Sequence, residues 1–132
     1  MDARFMWVFA GAYGLLGLAG LIYPDAERKF IGWFTGRLPV RILGLILMAA
    51  GIFIFRYAKD TGWPILAQVL GVVNTVAGGV NLILPDAMIV LNEAWIERRD
   101  LSHRLLGALY LVVAYLCYLA TIVPVAELVE AP

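Results

Sequence analysis

The 132-residue chain is 63% hydrophobic and only 15% charged, with ten Lys+Arg balancing ten Asp+Glu. A soluble domain carries about 45–50% apolar and about 25% charged residues, so too little polar material is present to wet a globular surface. With a mean hydropathy of +0.88, the chain reads as an all-α integral membrane protein, which excludes a soluble enzyme, a disordered tail and a disulfide scaffold. The balanced charge leaves no basic field to recruit nucleic acid.

Four stretches carry no Asp, Glu, Lys or Arg: residues 5–23, 42–55, 61–85 and 105–126, which are 19, 14, 25 and 22 residues long. A helix needs about 20 residues to cross about 30 Å of hydrocarbon. The first, third and fourth meet that length. The second reaches it when counted from about 40 to 58, because the long stems of Arg41 and Arg56 can carry their charges to the headgroups. Four transmembrane helices are therefore expected. The first follows Met1-Asp2-Ala3-Arg4 without a small-x-small cleavage site and reads as an uncleaved span.

The first connector opens with Tyr23-Pro24-Asp25. Proline stops the first span, and Asp25 is an expected N-cap for a short helix to about Phe34. Phe30, Trp33 and Phe34 share a face of that helix, while Glu27, Arg28 and Lys29 supply charge. Such a helix should lie in the headgroup layer with its aromatics towards the acyl chains. Leu84-Pro85-Asp86 repeats the device, with Met88, Leu91 and Trp95 on one face of the second connector. Ser102 is the expected N-cap of the fourth span, and His103, the single histidine, is expected at the interface beside it.

The two halves resemble each other. The segment from Leu21 to Ala26 aligns with that from Leu82 to Ala87 at an offset of 61, Trp33 and Arg37 with Trp95 and Arg99 at 62, and Arg41, Leu43 and Gly44 with Arg104, Leu106 and Gly107 at 63. The shared Pro-Asp-Ala, Trp and Arg-x-Leu-Gly predict a tandem duplication, with repeat 1 at about 5–58 and repeat 2 at about 63–123 of a single membrane domain, 1–132. Two spans per unit insert both copies in the same sense. The repeats are then parallel and not inverted, which argues against an alternating-access transporter.

The connectors after spans one and three carry Arg28, Lys29, Arg37, Arg41, Arg98, Arg99 and Arg104, whereas the other side has Arg4, Arg56 and Lys59. Positive charge marks the cytoplasmic side, so both connectors are expected there and both termini outside. Arg37, Arg41, Arg99 and Arg104, with Trp33 and Trp95, are candidate topology anchors or headgroup-phosphate contacts.

Within the spans, Ala67, Gly71, Thr75 and Gly79 recur every four residues, and Gly11, Gly14, Gly17 and Gly20 every three. Both patterns let helix backbones approach closely. Asn74 and Asn81, seven apart on one face, are expected to bond between helices. Every Asp and Glu falls in a connector or a tail, and the lack of intramembrane carboxylates argues against a pump or proton channel. One histidine and one cysteine, Cys117, form no ligand set, so no haem, zinc or other cofactor is expected. No nucleophile–base set and no phosphate-cradling loop is present, so no enzymatic activity is expected.

The unit also resembles a known family. A glycine-punctuated first helix (Gly17, Gly20), a Pro-initiated basic connector with an aromatic (Pro24, Trp33), and an Arg-x-x-Gly opening the second helix (Arg41, Gly44) are similar to the small two-span YjeT-like inner-membrane proteins of unknown function. Pro85, Trp95, Arg104 and Gly107 carry the same pattern in the second half. The resemblance implies a bacterial inner membrane and no particular activity. The function expected on these grounds is a non-catalytic accessory or structural subunit of a larger membrane complex, contacting anionic lipids and other subunits or a second copy. The alternatives are a small transport or channel protein, with Asn74, Asn81, Tyr110, Tyr115 and Tyr118 along its path, and a lipid- or quinone-binding bundle.

Overall fold

A computed structural model describes residues 3–122. Outside it lie Met1 and Asp2, Glu127 and Glu130 of the C-terminal tail, and the expected end of the second repeat at 123. Every regular element among the described residues is a helix, with no strand. A 3-10 turn, Ala3–Phe5, leads into α1 (Met6–Ile22), followed by α2 (Pro24–Gly32) and α3 (Arg37–Arg56). A second 3-10 turn, Ala58–Asp60, precedes α4 (Pro64–Ile83), α5 (Pro85–Ile96) and α6 (Asp100–Ile122).

Among the described residues three helices are long and apolar enough to cross a membrane: Arg37–Arg56, Pro64–Ile83 and the stretch Asp100–Thr121 of α6. The expected first span is an apolar helix of 17 residues, Met6–Ile22. It is two residues shorter than the 19-residue uncharged run because Phe5 belongs to the 3-10 turn and Pro24 ends the helix before Tyr23.

Proline sets both connector helices two residues earlier than expected. Pro24 and Pro85 occupy the first helical turn, and neither N-cap residue, Tyr23 or Leu84, makes a side-chain cap bond. A missing N–H costs nothing at that position. Asp25 is thus inside the first turn and binds Arg28 at 2.7 Å instead of capping. Likewise α6 starts at Asp100, before Ser102, whose amide donates to the Arg99 carbonyl.

Packing joins helices from opposite halves: α1 lies along α6, and α3 along α4. Glycines set the closeness of both pairs. A Cβ on Gly17 would stand 2.8 Å from the Gly107 carbonyl oxygen, and one on Gly44 would stand 2.8 Å from the Gly78 carbonyl oxygen. Real side chains essentially never approach so closely, so each pair needs hydrogen at these points.

The two pairs meet at the end where α1 and α4 begin. There Met6, Ile54, Ala58, Ala67, Leu70 and Cys117 form the buried core, flanked by Phe5, Phe9 and Tyr13. At mid-height Asn74 of α4 donates to the Tyr13 hydroxyl of α1 at 3.1 Å, tying one pair to the other. At the opposite end, α2 and α5 contact each other and the helix ends around them. The polar groups of the fold concentrate there.

Candidate functional site

Glu27 sits on the inward face of α2, one turn after Pro24, and is 5% exposed. Its Oε1 accepts a hydrogen bond from Trp95 Nε1 of α5 at 2.9 Å. His103 of α6 is fully buried, and its Nδ1 lies 3.2 Å from the same oxygen. That separation is within ion-pair range, but both ring nitrogens lack a hydrogen bond of proper geometry, as does Glu27 Oε2. The Trp95 and His103 rings lie 4.7 Å apart between centroids. Three helices thus bring a carboxylate, an imidazole and an indole together beneath the connector layer.

Gly20 in the last turns of α1 makes the cluster possible. A Cβ there would fall 2.8 Å from both Glu27 Oε2 and the His103 carbonyl oxygen. Any larger residue would push α2 and α6 off α1 and separate the acid from the ring.

Arg28 holds α2 over the turn between α5 and α6. It donates to the carbonyls of Ile96 (3.1 Å) and Arg98 (2.8 Å) and to the carboxylates of Asp25 (2.7 Å) and Asp100 (2.6 Å). The Asp100 bond, then the Asp25 bond, raise the Arg28 pKa above its ordinary value. Arg37 closes the other side, with Nε and Nη2 each 2.8 Å from an oxygen of Asp86. Asn92 of α5 donates to the Phe34 carbonyl at 2.8 Å.

A cavity of about 350 Å³ lies between the helix pairs under these connectors. Leu16, Leu43, Leu47 and Leu106 make its apolar walls, and Glu27, Phe30, Asn92, Trp95 and Tyr110 supply polar and aromatic lining. Its volume is at the lower end of the range for small-ligand pockets.

Several expected site residues are placed otherwise than expected. His103 is fully buried within the protein, enclosed by the tight α1–α6 contact. Trp95 is turned inward by Glu27, while its sequence match Trp33 is 68% exposed. Of the matched arginines, Arg37 has its guanidinium fork on Asp86, whereas Arg41, Arg99 and Arg104 are exposed. Asn74 bonds between helices as expected, and also to the Leu70 carbonyl in its own helix. Asn81 is 3% exposed and its Oδ1 has no partner. Tyr110 lines the cavity, but Tyr115 and Tyr118 are 60% and 45% exposed and share no path with it.

The packing residues divide in the same way. Gly71 and Thr75 pack on Gly51, but Gly78 rather than Gly79 meets α3, and Gly79 has only Met48 Cε at 3.5 Å. On α1, Gly17 and Gly20 are in tight contact, Gly14 is in ordinary contact with Ala114 at 3.9 Å, and Gly11 meets nothing within 4 Å.

Glu27 with His103 is the pair that sequence reading missed. One signal was available: at offsets 61 and 63, Glu27 and His103 align with Met88 and Val40, so the two halves differ in polarity at both positions. Comparison with family models, characterised proteins and solved structures finds no match to the chain.

Proposed function

We propose that the chain is a non-catalytic, four-span protein of the bacterial inner membrane, built from two parallel copies of a YjeT-like unit and serving as an accessory or structural subunit of a larger complex. The duplication is supported by the glycine contacts, because Gly17 and Gly107 align with Gly78 and Gly44, which form the corresponding contact in the other pair. The cavity supports it too: Leu43 faces it with its match Leu106, Leu47 with Tyr110, and Ile31 with Asn92.

The subunit role is carried by the outer face of α1. Trp7, Val8, Leu15 and Leu18 are 61%, 71%, 72% and 46% exposed, with Gly11 open among them. A small residue between large apolar ones lets a neighbouring helix approach closely. Arg41, Arg99 and Arg104, which are exposed and form no salt bridge among the described residues, are proposed to hold anionic headgroups beside that assembly. Native mass spectra of gently extracted protein test both parts. The protein is expected to carry a second chain, lost on Gly11→Leu, and anionic lipid, depleted in Arg41→Lys with Arg104→Lys because an ammonium cannot form the planar fork. A bare monomer whose lipid is unchanged in the double variant contradicts the proposal.

The cavity favours a second reading, a bundle that binds a lipid-soluble ligand. Detection of one stoichiometric small molecule in organic extracts of the purified protein supports it, and its absence removes it.

A further inference from the structure

Glu27 is more than nine-tenths buried, yet only one of its oxygens receives a hydrogen bond. Burying a carboxylate is unfavourable unless it is paired and hydrogen-bonded. The nearby arginines do not supply the pair. Arg28, next in the chain, is committed to Asp25, Asp100 and two carbonyls. Arg37 is committed to Asp86. His103 approaches the oxygen that Trp95 already uses and leaves Oε2 unpartnered.

Glu27 also lines the cavity between the helix pairs, with the aromatic side chains of Phe30 and Trp95 beside it and leucines further in. A carboxylate flanked by aromatic faces matches one ligand chemistry well. An ammonium group gains from the charge and from the ring quadrupoles, while an alkyl body gains from the leucine walls. We propose that this cavity binds a small hydrophobic amine in its ammonium form, with Glu27 as the counter-ion. The proposal rests on the reading of the bundle as a binder of lipid-soluble molecules and adds the chemical class of the ligand. It makes Glu27, one of the positions where the halves diverge, the charged group of a site on one side of a duplicated frame.

The test uses the full chain in phosphatidylcholine nanodiscs with ¹⁵N-labelled tryptophan. The Trp95 indole N–H donates to Glu27, so its resonance, assigned by its loss in Trp95→Phe, reports on the site. Hexylammonium is expected to shift it saturably, with the other indoles little affected. Hexanol, of the same length without the charge, should bind at least about tenfold more weakly, and Glu27→Gln should weaken hexylammonium by at least about tenfold. Leu106→Phe fills the cavity without touching the carboxylate and is expected to abolish the shift while leaving the free Trp95 resonance in place. Equal binding of hexanol overturns the ammonium assignment but leaves a lipid-soluble ligand in the cavity. Non-saturating shifts at all four indoles, or binding unchanged in Leu106→Phe, show partition into the bilayer and overturn both.

Discussion

Among the described residues Trp95 is the only hydrogen-bond donor in good geometry to Glu27, so the indole N–H carries much of the tolerance for a buried acid. Trp95→Phe keeps most of the ring volume and leaves the carboxylate unsatisfied, which costs about 1–3 kcal/mol. Thermal unfolding in detergent should show that loss. Adding Glu27→Leu should recover most of it, because an apolar replacement removes the unsatisfied group altogether. A double variant no more stable than Trp95→Phe alone would show that Glu27 is not the reason Trp95 matters. Residue-level reading of the sequence placed Glu27 among solvated charges and His103 at the interface. What buries them is the approach of α1 to α6 at Gly20 and Gly107, and that tertiary contact has no local signature.

At the scale of the helices, the small residues were legible but their faces only in part. A step of four residues advances about 40° around a helix, and a step of three falls back about 60°, so neither glycine series stays on one contact line. Gly78 therefore takes the place expected for Gly79 against α3, and Gly11 has rotated away from the seam that holds Gly17 and Gly20. Adjacent positions give a direct comparison. Gly78→Ala would drive a methyl group into the backbone of α3 at Gly44 and Met48, an overpacking worth about 1–3 kcal/mol of destabilisation. Gly79→Ala meets only the mobile end of Met48 and should be neutral, or stabilising by up to about 1 kcal/mol through helix propensity. Denaturation in mild detergent that ranks the two equally would contradict the assigned seam. The connector helices were the most legible elements, because proline marks where each begins. Their caps differed, since proline itself fills the first turn, and α2 ends at Gly32, short of the expected Phe34.

For the whole molecule, uncharged runs located the apolar helices, but α1 sits at the short limit for crossing a bilayer, with 17 α-helical residues after a 3-10 turn. Hydropathy alone therefore leaves three spans and a shorter fourth. The pairing of α1 with the full-length α6 argues for a fourth crossing, because Gly17 and Gly20 of α1 meet Gly107 of α6. Thiol labelling in sealed vesicles decides the matter. In a Cys117→Ala background, single cysteines replace Arg4, Lys29, Lys59 or Glu97, and a membrane-impermeant maleimide is applied from one face at a time. Four parallel-repeat spans predict Arg4→Cys and Lys59→Cys labelled from one face, and Lys29→Cys and Glu97→Cys from the other. Labelling of Arg4→Cys from the same face as Lys29→Cys would mean that α1 does not cross, and would contradict the duplicated four-span architecture.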